Sequence, residues 1–156
     1  MNNTNVIGLI KHLELKSHPE GGFYKRVYTS PVSIEDRPIC SSIYYLLQQG
    51  DYSGWHRINQ DEIWFHHRGG PLSIYEIDDN GQLITHRLDG LTQPQLCIPK
   101  GHWFAAELAQ PTDEYTLVSC VVSPSFDFND FEMGQFKILS EQYPQHAVIL
   151  KRLCRA

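Results

Sequence analysis

The stretch Gly50-Asp51-Tyr52-Ser53-Gly54-Trp55-His56-Arg57-Ile58-Asn59-Gln60-Asp61-Glu62-Ile63-Trp64-Phe65-His66-His67-Arg68-Gly69 decides how this chain is read. It holds two β-rich runs, Tyr52 to Ile58 and Glu62 to His66. Alternate side chains of a strand share a face, so His56 lies on the same side as Ile58. By the same rule Glu62, Trp64 and His66 share one side of the second run. A second informative stretch is Pro99-Lys100-Gly101-His102-Trp103-Phe104, in which His102 and Phe104 share a face.

Working outward, the β texture continues in both directions. Phe23 to Thr29, Ser42 to Leu47, Leu72 to Ile77, Gln82 to Leu88, Gln95 to Ile98, Trp103 to Leu108 and Tyr115 to Ser123 are further short strands. Asp78-Asp79-Asn80-Gly81 is a hairpin turn signal between two of them. A helix is expected from Thr4 to Leu15, with Thr4 as its cap and Val6, Leu9, Ile10 and Leu13 on one face. His18-Pro19-Glu20-Gly21-Gly22 stops it. From Gly134 the tail turns helical, with Phe136, Leu139 and Tyr143 as an inner face and Pro144 as an interruption. The fold class is mainly β with helices at the two ends, and such strands build a sandwich, jelly roll or barrel.

The chain has 156 residues, 41% of them hydrophobic and 20% charged, which suits one globular domain with a real core. The formal net charge is −5, so there is no basic excess to neutralise phosphates and no nucleic-acid partner is expected. No apolar stretch reaches bilayer length, and the first residues do not read as a signal peptide, so no membrane is expected and the location is read as cytoplasmic. Cys40, Cys97, Cys120 and Cys154 form no Cys-x-x-Cys pair and read as small buried thiols in a reducing compartment.

The two informative stretches resemble the cupin superfamily. Its first motif sets glycine, histidine, histidine, glutamate and glycine at fixed spacings, and here Gly50, His56, Ile58, Glu62 and Gly69 stand there. Its second motif is met by Pro99 and Gly101, with Phe104 in the place of a histidine. Further stretches are similar to a cupin subfamily long catalogued as a domain of unknown function. They are His18-Pro19-Glu20-Gly21-Gly22, Ser42-Ile43-Tyr44-Tyr45-Leu46-Leu47, Trp55-His56-Arg57, Asp61-Glu62-Ile63-Trp64 and Ser123-Pro124-Ser125-Phe126-Asp127-Phe128. Two departures are Arg26, where that family usually carries an acid, and Ser125, where it usually carries glycine. The resemblance implies one cupin domain over residues 1–156, a double-stranded β-helix or jelly-roll barrel, with an N-terminal helix in 1–17, the barrel in 22–128 and a helical segment in 134–152. It also implies a homodimer and a small-molecule pocket inside the barrel.

On that alignment the pocket would hold His56, Glu62, His66 and His102, walled by Ile58, Trp64 and Phe104. A mostly apolar cavity with a few polar groups is how a small-molecule site is built. Cupin metal sites use three histidines and a glutamate, and Ile58 and Phe104 cannot ligate, so no cofactor is expected. A divalent metal, if bound, would take His56, Glu62 and His66. The leading expectation is a sugar-like or other polar ligand with metal-free isomerase or epimerase chemistry. His56 or His66 would be the base, Glu62 would orient the ring, and Tyr44 would be the acid. The alternatives are a metal-dependent oxygenase or lyase with a non-standard ligand set, and a non-catalytic binding or storage cupin.

Other features read as ordinary. Arg57, His67 and Arg68 point away from the pocket face. His12, His86 and His146 read as surface or packing residues. Glu20-Gly21-Gly22 reads as the turn into the first strand. Phe126, Phe128 and Phe131 read as core or dimer interface. There is no phosphate-binding glycine loop and no Gly-x-Ser-x-Gly element.

Overall fold

A computed structural model describes residues 5–155. Thr4 lies outside them, and the cap of the first helix, α1 (Val6–His12), is Asn5, whose Oδ1 accepts from the Gly8 amide at 2.8 Å. Three short strands the sequence did not suggest, β1 (Lys16–Ser17) and the hairpin of β3 (Ser33–Ile34) with β4 (Arg37–Pro38), flank β2 (Phe23–Thr29). Then come β5 (Ser41–Gln48), β6 (Tyr52–Ile58), β7 (Asp61–Gly69), β8 (Leu72–Ile77) and β9 (Leu83–Leu88). They are followed by β10 (Gln95–Ile98), β11 (Trp103–Leu108), β12 (Tyr115–Ser123) and a short β13 (Phe131–Met133). The tail forms α2 (Phe136–Gln142) and α3 (Ala147–Leu153), parted by a single turn at Pro144.

The strands make a six-stranded sheet, β1-β2-β5-β12-β7-β10, and a five-stranded sheet, β13-β6-β11-β8-β9. Every pairing is antiparallel. The two sheets face each other as a jelly-roll barrel, which is the architecture expected from the sequence. Tyr45, Leu47, Trp64, Ile74, Phe104 and Val118 fill one end of the interior. The period-two pattern sends their neighbours outward, where the helices meet them. α1 lays Leu9 on Leu46 and Leu117 of the six-stranded sheet. The C-terminal helices lay Leu139, Leu150 and Leu153 on Trp55 and Trp103 of the other.

Two readings of the tail and the thiols change. Leu139 is buried in α2, but Phe136 points outward. Cys97 is exposed rather than buried, because β10 turns Leu96 and Ile98 inward and leaves Cys97 on the opposite side.

Candidate functional site

The unfilled end of the barrel is a cavity of about 200 Å³. That is room for about seven waters at liquid density, which suits a small ligand. His56 and Ile58 reach it from β6, Glu62 from β7, Cys120 and Val122 from β12, and Tyr24 and Arg26 from β2. Phe126, Phe128 and Phe131 close its mouth, so this aromatic group is a cavity wall and not only packing. His18 and Glu20 complete the lining.

Glu20 enters from a turn that only glycine can follow. Gly21 has φ +109°, and a Cβ there would stand 2.1 Å from the Tyr52 carbonyl oxygen. The turn is fastened from behind. Gly22 N–H donates to Asp51 Oδ2 at 2.8 Å, and Arg155 donates to the Glu20 carbonyl at 2.7 Å, to Asp51 Oδ1 at 2.5 Å and to the Tyr52 carbonyl. Arg155→Ala should cost about 2 kcal/mol, the size of a lost charged hydrogen-bond set. It should also broaden the His56 ring resonances as the turn loosens. Urea unfolding and NMR of the histidines check this, and His56 ring signals as sharp as those of the wild type would refute the second part.

Inside the cavity, His56 Nδ1 lies 2.7 Å from the Gly54 carbonyl and Nε2 lies 2.9 Å from Glu20 Oε2. Both neighbours are acceptors, so both ring nitrogens donate and the ring is an imidazolium paired with a carboxylate. The charges agree with that geometry. Burial alone would raise Glu20, yet His56 and His18 outweigh it and hold the carboxyl at about 2. Burial would likewise lower His56, yet Glu20 outweighs it and raises the ring. His18 is lowered, by burial first. Its Nδ1 accepts from the Glu20 amide at 3.2 Å, so the proton of the neutral ring sits on Nε2.

Glu62 has no such partner. Burial first and the Glu20 charge second push it up to about 7, against the pull of His56. Trp64 Nε1 lies beside it yet is buried without a hydrogen bond. The cavity therefore holds one satisfied ion pair and one carboxyl poised between its two protonation states near neutral pH.

The sequence-level site residues separate into those the barrel brings together and those it does not. His56, Glu62 and Ile58 line the cavity. Trp64 and Phe104 form the packed floor behind them, with the His56 and Phe104 ring centroids 4.1 Å apart. His66 does not reach it. It stands about 13 Å farther along β7 than Glu62, past the core, with Nε2 3.1 Å from the Gly70 carbonyl. His102 is drawn to Glu76 Oε1 at 2.5 Å, and Glu76 Oε2 also meets His86 at 2.6 Å. His86 is thus a partner in a separate cluster, not an isolated surface residue. Tyr44 points outward to the α1 side, and its neighbour Tyr45 faces inward, donating to the Gly21 carbonyl at 2.7 Å. His56 pairs with Glu20 rather than with Glu62, and it has no nitrogen left to act as a base.

A cupin-type metal does not fit these residues. Ile58 and Phe104 offer no donor, His66 is remote and both His56 nitrogens are engaged. Among the described residues no three His, Cys, Asp or Glu side chains are grouped to hold a metal ion. Glu20 and His18 are the residues that sequence reasoning missed. The stretch that carries them resembles the family, but nothing local to it shows that Glu20 meets His56 of β6.

A family model described as Cupin superfamily (DUF985) matches residues 8–134. Among solved structures, a protein from Shewanella oneidensis is 41% identical with a TM-score of 0.91, over 97% of this chain and 98% of that one. A hypothetical protein from Leishmania major is 31% identical with a TM-score of 0.86, over 97% of this chain and 99% of that one. Oxalate decarboxylase from Bacillus subtilis is 13% identical with a TM-score of 0.60, over 88% of this chain and 36% of that one, a likeness of fold alone. None of the curated proteins matches. Among the described residues no helix is long and apolar enough to cross a membrane.

Proposed function

We propose, for a chain that belongs to the DUF985 family of the cupin superfamily, that the barrel binds a small sugar-like or other polar carbonyl metabolite and moves a proton on it without a metal. The observation that carries this reading is Glu62, a buried carboxyl at about 7 facing the cavity beside a fixed imidazolium–carboxylate pair. A general base works best when its pKa lies near the operating pH. Glu62 takes the proton from the carbon next to the carbonyl. The electron pair of that C–H bond moves to the carbonyl oxygen, which accepts a hydrogen bond from His18 Nε2–H. Glu62 then returns the proton to the same carbon as the electron pair moves back from the oxygen, giving the starting compound or, where the enolate has turned its other face to Glu62, the epimer. His56 and Glu20 do not exchange protons with the ligand. They set the field: the Glu20 charge holds the Glu62 proton on, and the His56 charge pulls the other way.

Deuterium incorporation tests this directly. Small carbonyl compounds incubated with the protein in D2O should lose the C–H signal next to the carbonyl faster than with Glu62→Gln. Equal rates for the two proteins would remove the proton-transfer reading and leave only binding.

The remaining partner in this reading is a second copy of the chain. Among the described residues no strand covers β2 beyond Tyr24 on its outer edge, and Val27, Tyr28, Val32 and Ile34 are exposed around it. An open edge with apolar neighbours needs cover. Sedimentation should give twice the chain mass at micromolar concentration, and a monomer throughout would refute the dimer. The unpaired cysteines support a reducing, cytoplasmic setting.

A further inference from the structure

Arg26 stands at the mouth of the cavity with its charge unmet. Arg37, Arg57, Arg87, Arg152 and Arg155 each pair with a carboxylate. Among the described residues Arg26 has no such partner. Its one hydrogen bond is to the Phe126 carbonyl at 2.8 Å, which steadies the guanidinium over the opening without neutralising it. Inside, the Glu20 and His56 charges cancel each other. The lining therefore carries one uncompensated positive charge whenever Glu62 holds its proton, in a chain whose formal net charge is −5.

We infer that Arg26 is the specificity-determining residue of this cavity and that it selects a small carboxylate whose carbonyl end reaches inward, an oxo acid. This rests on the reading of the cavity as a ligand site. One nitrogen of the guanidinium is taken by Phe126, and the remaining N–H groups still form a fork that matches a carboxylate. One unmet charge matches a monoanion better than a phosphate ester, which carries more. The volume of about 200 Å³ also favours a small acid, and the exposed Phe128 ring gives its apolar end a surface to lie on.

Pyruvate, oxobutyrate and phenylpyruvate, each with its methyl ester, are the probes, and NMR titration of the wild type, Arg26→Gln and Arg26→Lys is the readout. The acids should bind the wild type about tenfold tighter than their esters, the worth of a charged fork contact. Arg26→Gln should erase that preference and Arg26→Lys should keep part of it. Esters binding as well as acids, an unchanged preference in Arg26→Gln, or no binding of any acid at millimolar concentration would overturn the inference. If Arg26→Gln fails to fold, the acid–ester comparison on the wild type and Arg26→Lys still decides it. Deuterium exchange separates this from the chemistry. Acids that prefer Arg26 but exchange no deuterium uphold the selection and remove the proton-transfer reading. Esters that bind and exchange as fast as acids do the reverse.

Discussion

Glu20→Ala should destabilise the protein by about 3–5 kcal/mol, because it leaves a buried imidazolium without its counter-charge. His56 is 2% exposed and Glu20 6%, so bulk water screens the uncompensated charge poorly. His56 should then fall in pKa, since burial is left to dominate. Glu20→Gln should cost less, because an amide oxygen can still accept from Nε2. The pH dependence gives an independent measure. Glu20 moves from an ordinary 4.5 to about 2 on folding, so it contributes stability that is present above pH 4.5 and lost as pH falls toward 2. That contribution is about 3 kcal/mol. Urea unfolding at pH 7 and pH 3 checks both statements. A Glu20→Ala curve lying on that of the wild type at pH 7 would mean that the ion pair is not formed in solution.

The second large effect runs in two directions at once. Glu62→Gln should lower any proton-transfer rate by about 10²–10⁴-fold, the usual worth of a general base. The same change should make the fold more stable at high pH. Glu62 moves from 4.5 up to about 7 on folding, so the unfolded chain releases this proton first. The resulting cost is absent below pH 4.5, grows as pH rises and is full above 7, where it reaches about 3 kcal/mol. Glutamine removes it. The variant and the wild type should unfold at the same urea concentration near pH 4 and diverge by pH 8, with the variant the more stable. A variant less stable than wild type at pH 8 would show that Glu62 is a structural group and not one held under strain for use.

Much of the barrel was legible because its signals are local. Asp78-Asp79-Asn80-Gly81 marks the turn between β8 and β9, and the alternation in Tyr115 to Ser123 marks β12. Short elements such as β13 were not legible, since three residues carry no period. The site was read less well, for a physical reason. Period-two alternation says which side chains share a face but not how far along the barrel they lie. It placed His66 and His102 with Glu62 when the packed core separates them. Tyr44 rested on the resemblance rather than on alternation, and the inner residue of the pair is Tyr45. Glu20 escaped because its partner His56 lies on another strand and no local pattern links the two.

The Arg155 clamp has a consequence for the order in which the molecule assembles. It joins the Glu20 turn across 135 positions of chain, and α3 carries it there only after that helix has docked on the five-stranded sheet. Contacts that span so much chain form late, because the entropy of closing the intervening loop must be met before they give anything back. The hairpins can therefore be complete while the Glu20 turn is still loose and His56 still lacks its counter-ion. A molecule in that condition would have its barrel but not the Glu20–His56 pair, so the proposed site would be completed after the β-scaffold that carries it.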